Sequence, residues 1–282
     1  MNLAKKKYKH TLNCNIKTII EKSYSINNNN GILSKAEPKR EIFTYDTMTN
    51  YNKDGLIIEK QEITTLNDLN EIVNTFIFEY LNNKISKEYN YSKDGNIKES
   101  IFYFYNNNKL KSKNIYDNNK LKFIEEYEYD KQDLLLKLTK YNNHNKIIHT
   151  RRFSYDKNKN LILEELYNSR NKKQGQYEYK YFIKKEQLEK QYFYNSQLLK
   201  TEIILFDASY NDIKIIKHID HINPYGVTIT SFDSKGNILE EKSDDNFIKY
   251  EYSFDQKCNW VKRIEFNNQI PKLIVERDII YF

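Results

Sequence analysis

Cysteine, glycine and proline are all scarce in this sequence of 282 residues, which holds two, six and three of them. Cys14 and Cys258 show neither the spacing of a metal site nor a disulfide framework, although one long-range bridge between them stays open. So few glycines and prolines exclude a linker-like or disordered chain. The glycines stand too far apart to cradle a phosphate, and no serine lies in a Gly-x-Ser-x-Gly turn.

Long apolar runs are also missing from the sequence. No stretch reaches the roughly 20 apolar residues that a transmembrane helix needs, and residues 1–20 lack the apolar core of a signal peptide. We therefore expect no membrane span and no Sec signal peptide. The low cysteine count favours a reducing compartment. The predicted location is the cytoplasm, with export by a non-Sec route as the alternative.

Charge of one sign is concentrated at the beginning of the chain. Residues 1–40 hold nine basic and two acidic side chains, whereas the other 242 residues hold 37 of each sign. Residues 1–40 are interpreted as a basic, Asn-rich arm or as irregular first strands. Because residues 41–282 carry no net charge, they lack the electrostatic basis for binding nucleic acid, and we expect no nucleic-acid partner.

Tyrosine and phenylalanine are abundant instead, with 25 and 15 copies. An aromatic residue recurs before polar turns in steps of 11 to 14 residues, at Tyr91, Tyr105, Tyr116, Tyr129, Tyr141, Tyr155 and Tyr167. A step of about 12 residues accommodates one strand of about eight residues and a turn of about four. The repeat therefore indicates β-hairpins rather than helices.

The turns between these strands share a composition as well. Asp156 and Asp233 begin two turns of similar sequence, and side chains of this type cap their own backbone. Gly95 and Gly236 stand near the end of a turn, where the backbone needs a positive φ. Cys258 takes the same position in its turn. We therefore interpret Cys258 as a turn residue.

These patterns predict an all-β fold over residues 41–282. We expect an elongated antiparallel sheet of tandem β-hairpin repeats, either a twisted open array or a β-solenoid, in which each hairpin contacts mainly its neighbours. The sheet would contain about 16 to 18 short strands. Residues 272–282 are predicted to form its closing strand.

The short sequence Tyr-Asp-x-x-Gly-Asn, which opens several turns in more or less complete form, resembles the YD repeat of RHS and related bacterial proteins. It is best matched by Tyr155-Asp156, Phe232-Asp233 and Phe254-Asp255. The run Cys258-Asn259-Trp260-Val261-Lys262-Arg263 is similar to the end of short YD-repeat-like proteins of Bacteroidetes. The resemblance covers residues 43–282. It implies a hairpin-repeat fold and a role within a bacterial toxin or immunity system.

One short run could carry chemistry. His218-Ile219-Asp220-His221 resembles the first strand of an HNH nuclease finger, in which Asp holds a metal-ligating His and the next His activates water. Such a finger needs a further histidine downstream, and none follows His221. We favour a structural strand and turn here and keep a divergent nuclease as an alternative. No catalytic, cofactor-binding or metal-binding residue is predicted, and the chain is not expected to be an enzyme.

Glutamate also recurs shortly after the turns, at Glu59, Glu99, Glu125-Glu126, Glu164-Glu165 and Glu240-Glu241. A carboxylate pair could do acid–base work. Because these glutamates recur at the same position after each turn, we instead predict a ladder of Glu beside Lys or Arg on neighbouring strands. His144 and His149 are interpreted as surface histidines, and Trp260 as a plug in the core.

Aromatic residues that crowd one strand must point to both of its faces. Tyr103, Tyr192 and Phe193 lie in such runs, so some of these side chains should be exposed. They are the best indication of a binding surface. We expect a non-enzymatic protein whose extended β surface binds another protein. A surface module that binds glycan through exposed aromatics is the second interpretation.

Overall fold

The computed structural model describes residues 15–29, 31–38, 46–66, 69–207, 213–223 and 226–282. These residues form 21 strands that belong to one sheet, and every strand pairing that the structure resolves is antiparallel. The strands are β1 (Ile16–Asn29), β2 (Ile32–Pro38), β3 (Asp46–Tyr51), β4 (Ile57–Leu66), β5 (Leu69–Leu81), β6 (Lys84–Ser92), β7 (Ile97–Asn106), β8 (Lys109–Asp117), β9 (Lys120–Tyr129), β10 (Leu135–Asn142), β11 (Ile147–Tyr155), β12 (Leu161–Asn168), β13 (Lys173–Phe182), β14 (Gln187–Tyr194), β15 (Gln197–Phe206), β16 (Ile213–Asp220), β17 (Val227–Phe232), β18 (Ile238–Lys242), β19 (Phe247–Phe254), β20 (Trp260–Asn267) and β21 (Ile270–Tyr281). One 3-10 turn, Ile183–Lys185, connects β13 to β14. No helix among the described ranges is long and apolar enough to cross a membrane.

The sheet is closed, so the predicted open array or solenoid is wrong. The last strand, β21, pairs with β1 over Ile16–Tyr24. The opposite edge of β1 pairs with β3 over Thr18–Glu21. The strands β1 and β21 therefore pair with each other, and the sheet has no unpaired edge between them. The alternation of apolar and polar residues and the turn residues predict which consecutive strands pair. They carry no information on the pairing of β1 with β21.

The contacts within the chain define two compact units. One contains Tyr105–Lys113 and Phe123–Ile248, and the other contains residues 15–104, Asn114–Lys122 and Lys249–Phe282. The predicted boundary at residue 40 stays a prediction. Residues 1–14, including Cys14, lie outside the described residues, whereas β1 and β2 fall within the predicted arm.

Each unit has a small buried cluster. In the first unit, Leu188 packs with Tyr179 and Phe206. In the second, Trp260 packs with Leu273 and Val275, which confirms the predicted core position of this tryptophan. Most other side chains are half-buried, because a sheet with one wet face covers its aromatic side chains only in part.

The turns follow the predicted chemistry. Asp156 Oδ1 accepts the backbone N–H of Asn158 at 2.9 Å and that of Asn160 at 2.8 Å. Asn142 makes the same two bonds in its own turn, to His144 and Lys146. The position predicted to need positive φ has φ +76° at Gly95, +84° at Gly236 and +60° at Cys258, so Cys258 is confirmed as a turn residue.

A β-bulge follows many of these turns. In the β11–β12 hairpin, Tyr155 lies opposite Leu161 but Ser154 lies opposite Leu163, which leaves Ile162 as an extra residue. The same register shift recurs at Ile58, Lys98, Leu136, Ile148, Gln174 and Leu239. Bulges increase the local right-handed twist of a strand pair, which helps a sheet to curve.

The aromatic residue before the turn is tyrosine for a reason beyond packing. The hydroxyl of Tyr155, at the end of β11, donates at 2.9 Å to the backbone carbonyl of Leu135, at the start of the paired strand β10. The pattern repeats for Tyr80 with Ile57, Tyr129 with Leu110, and Tyr181 with Leu161, at 2.8–3.0 Å. We call these bonds tyrosine staples, and they explain why Tyr rather than Phe stands at these four positions.

Replacing Asp156 with asparagine should make the protein less sensitive to acid. The N–H of Asn160, followed by its side-chain amide and the N–H of Asn158, lowers the pKa of Asp156 below its ordinary value of 3.8. A lowered folded pKa contributes stability that is present above the unfolded pKa and is lost as the pH falls through the folded value. The difference in urea midpoint between pH 7 and pH 3 should therefore shrink in Asp156→Asn.

The matched control is the reverse change at an equivalent turn. Asn142→Asp should enlarge the same difference, because it adds a titrating group to a turn that has none at this position. Equal acid sensitivity of wild type and both variants would contradict the assigned role of the turn carboxylate.

Candidate functional site: a groove over strands β13 to β17

A groove of about 350 Å³ lies on one face of the first unit. We call it the β13–β17 groove. It is lined by Tyr177, Lys190, Tyr192, Lys200, Thr201, Glu202, His218, Ile219, Asp220, Gly226 and Thr228. Its size is within the range of about 300–1,000 Å³ that is common for small-ligand pockets.

Strand register places these side chains in two rows. Tyr177 lies opposite Tyr192, Tyr192 opposite Lys200, and Lys200 opposite Asp220. The second row runs through Lys190, Glu202, His218 and Thr228. Directly opposed residues of antiparallel strands share a face, so both rows project into the groove.

Two tyrosine rings form the apolar part of the groove. The ring centroids of Tyr177 and Tyr192 are 4.7 Å apart, with an angle of 31° between the ring planes. The Lys190 ammonium lies 4.9 Å from the centroid of Tyr177, within the range of a cation–π contact. Burial, followed by the neighbouring Tyr192 and Glu164, raises the pKa of Tyr177, so its hydroxyl stays protonated at neutral pH.

The Tyr192 ring packs against the backbone at Gly175. A Cβ added at Gly175 would lie 2.6 Å from the backbone oxygen of Phe193 and 3.3 Å from the Tyr192 ring. Only glycine lets the ring approach the β13 backbone this closely. Together with the Tyr177 contact, this packing fixes the orientation of Tyr192.

Asp220 is committed to the turn that follows β16. Its Oδ1 accepts the N–H of Ile222 at 2.9 Å and that of Asn223 at 3.2 Å. These two bonds, in this order, lower the pKa of Asp220. A Cβ at Gly226 would lie 2.4 Å from the Asp220 Cβ, so this glycine is needed for the chain to return beside Asp220.

The two histidines singled out in the sequence have separate partners. His218 Nδ1 lies 3.6 Å from Glu202 Oε2, whereas His221 Nε2 lies 2.8 Å from the Thr201 hydroxyl. Within the part of the chain that the structure describes, no group of three His, Cys, Asp or Glu side chains could hold a metal ion. The HNH arrangement requires Asp220 to orient a ligand histidine, and here its carboxylate caps a turn instead.

The other predicted surface aromatics lie elsewhere. Phe193 follows Tyr192 in β14 and lines a second cavity, of about 510 Å³, together with Gln174, Gln176 and Asn195. Tyr103 donates to Glu88 Oε1 at 2.6 Å. Of the three aromatic residues singled out in the sequence, Tyr192 therefore contributes to the groove.

The predicted glutamate ladder is present in part. Lys113 Nζ lies 3.0 Å from Glu125, Arg151 lies 3.1 Å from Glu164, and Lys173 lies 2.6 Å from Glu165. Glu59 instead accepts two amide bonds, from Asn50 and Gln61. His144 is exposed and His149 half-buried.

Sequence reasoning missed the charged residues of the groove. Lys190, Lys200 and Glu202 lie in strands whose alternation is clear, but their shared face depends on the register between strands. That register is shifted by a bulge between Tyr192 and Phe193. No signal in the sequence indicates which of two neighbouring residues faces the groove.

No protein-family model matches the chain, and no curated protein matches its sequence. Among solved structures, a porin-like protein from Bacteroides uniformis aligns with 97% of this chain and 100% of its own, at 12% identity and a TM-score of 0.40. A porin-like protein from Bacteroides vulgatus aligns over 95% and 98%, at 10% identity and a TM-score of 0.25. The Photorhabdus luminescens Tc holotoxin pore aligns over 82% of this chain and 19% of its own, at 10% identity and a TM-score of 0.29. With TM-scores below 0.5, these alignments carry no argument about this chain.

Proposed function

We propose that this chain is a non-enzymatic binding protein whose β13–β17 groove binds a carbohydrate. The observation that carries the proposal is the pair of tyrosine rings, 4.7 Å apart, held in one groove with ammonium, imidazole and carboxylate groups. A sugar ring has apolar C–H faces and a rim of hydroxyl groups. The tyrosine rings stack on each other, so a sugar would pack against the outer side of the pair while its hydroxyl groups bond the polar side chains around it.

The position of the acidic groups supports binding rather than catalysis. A general acid for glycoside cleavage needs a raised pKa, so that its carboxyl group carries a proton at the working pH. Two N–H groups lower the pKa of Asp220 and hold its carboxylate against a turn. In the proposed role, the groove orients a glycan without cleaving it.

Docking of another protein, in a toxin or immunity system, is the second candidate function. The bulges place aliphatic side chains on the exposed surface of the first unit, at Leu136, Ile162 and Leu239. The turns at Asp156, Asp233 and Asp255 and the tyrosine staples support the further proposal that the chain is a YD-repeat protein. Its cytoplasmic location, or export by a non-Sec route, stays a prediction.

Replacing Tyr192 with alanine should weaken glycan binding at least about tenfold. Loss of a stacking ring removes more than about 1.4 kcal/mol of binding free energy, which corresponds to a factor of ten in Kd. Binding partners would first be found on a glycan array, and Kd would then be measured by isothermal titration calorimetry for wild type and variant.

The matched control is Tyr194→Ala on the same strand, because Tyr194 is exposed but does not line the groove. This control should bind glycan as wild type does. Unchanged circular dichroism and urea midpoint would show that both variants fold. Wild-type affinity in Tyr192→Ala, or the absence of any glycan ligand, would refute the carbohydrate proposal. A stoichiometric protein partner would then favour the second candidate.

A further inference from the structure

We infer that the ligand of the β13–β17 groove is an acidic glycan, a sugar that carries a carboxylate or sulfate group. This inference rests on the proposed function and names the ligand class of the same site. It follows from how the charged side chains of the groove are paired with one another.

Both acidic groups of the groove are already engaged by the protein. Asp220 accepts two backbone N–H groups of the following turn, at 2.9 Å and 3.2 Å. Glu202 Oε2 lies 3.6 Å from His218 Nδ1 on the next strand. Both carboxylates therefore already face hydrogen-bonding groups of the protein, which leaves the lysines as the groups that can meet a ligand.

The two lysines of the groove are not engaged in the same way. Among the described residues, neither Lys190 nor Lys200 makes an ion pair within 4.0 Å. Lys190 instead lies over the Tyr177 ring, 4.9 Å from its centroid. Lys200 lies in register between Tyr192 and Asp220, close enough to lower the pKa of that carboxyl.

Both ammonium groups therefore flank the stacked pair of Tyr177 and Tyr192. Lys190 and Tyr192 belong to β14 and Lys200 to β15, and neighbouring strands are about 4.8 Å apart. A sugar ring packed against the outer side of the stacked Tyr177–Tyr192 pair would place its substituents within reach of both lysines. Lys190 lies opposite Glu202 and Lys200 opposite Asp220. Within the described part of the chain, however, neither lysine forms an ion pair within 4.0 Å, so both ammonium groups can still bond an anionic substituent.

The test compares three glycans that share one backbone: a neutral disaccharide, its uronate form and its sulfated form. The variant is the double change Lys190→Met and Lys200→Met, which keeps the length and most of the apolar stem of each side chain. The control is Lys180→Met, because Lys180 belongs to the same hairpin but bonds Gln191 and does not line the groove.

We expect the wild type to bind at least one acidic form at least about tenfold more tightly than the neutral form, and less tightly at high salt. The double variant should lose this preference, whereas Lys180→Met should keep it. Tighter binding of the uronate or of the sulfated form would identify which anionic group is recognised.

The outcomes separate this inference from the proposed function. Equal affinity for all three glycans, unaffected by the double variant but lost in Tyr192→Ala, would refute the acidic ligand and leave the carbohydrate site standing. Failure of every glycan to bind would overturn both. An acidic preference that the double variant retains would refute the role given to Lys190 and Lys200.

Discussion

Replacing Arg277 with leucine should lower the free energy of unfolding by about 3–5 kcal/mol. The Arg277 guanidinium lies 3.3 Å from the centroid of the Trp260 ring, and its Nε donates to Glu21 Oε2 at 2.8 Å. Arg277 and Glu21 are register partners on β21 and β1, the two strands that close the sheet. Their side chains are 14% and 28% exposed. Loss of the arginine leaves a partly buried carboxylate without its ion pair.

Urea unfolding, followed by circular dichroism, would measure this effect. The matched control is Lys35→Ala, which removes an ion pair to Glu276 on the same strand β21. The Lys35 side chain is 53% exposed, so its loss should lower the urea midpoint far less than the loss of Arg277 does. Equal losses in the two variants would contradict the importance of the pairing between β1 and β21.

Replacing Leu188 with alanine should destabilise the protein by about 2–5 kcal/mol. Leu188 is 2% exposed and packs with Tyr179 and Phe206 in the buried cluster of the first unit. The shorter side chain loses apolar contacts to this cluster and leaves a cavity in it. The measurement is the free energy of unfolding in urea.

Leu136→Ala is the control for the core variant. Leu136 is an exposed bulge residue in the same unit, and its truncation should change the stability by no more than about 0.5 kcal/mol. If the two leucines proved equally important, the assignment of the core to the cluster around Leu188 would be wrong.

Local features of the fold could be predicted from the sequence because they depend on neighbouring residues. The bonds of Asp156 and Asp233 to their own turns, and the positive φ of Cys258, follow from short-range chemistry. The pairing of β1 with β21 joins residues more than 250 positions apart, at Glu21 and Arg277 among others. No local pattern specifies such a pair, which is why the closed sheet was missed.

The candidate site was predictable only in fragments. Tyr192 and His218 were singled out for separate reasons, and the sequence did not bring them together. Counting back from the hairpin turn would place Leu199 opposite Tyr192, but the bulge places Lys200 there. A shift of one residue moves a side chain to the other face of the sheet. The set of residues that line the groove therefore depends on a bulge that could not be predicted from the sequence.

The tyrosine staples restrict how such a chain can change its length during evolution. Each hydroxyl near the end of one strand bonds the start of the strand before it, as Tyr155 on β11 does to Leu135 on β10 and Tyr181 on β13 does to Leu161 on β12. Loss of one strand would break the staple in which it takes part. It would also reverse every later strand, so that β21 could no longer pair antiparallel with β1. Duplication or deletion of a complete hairpin preserves both. Relatives of this chain should therefore differ from it by even numbers of strands.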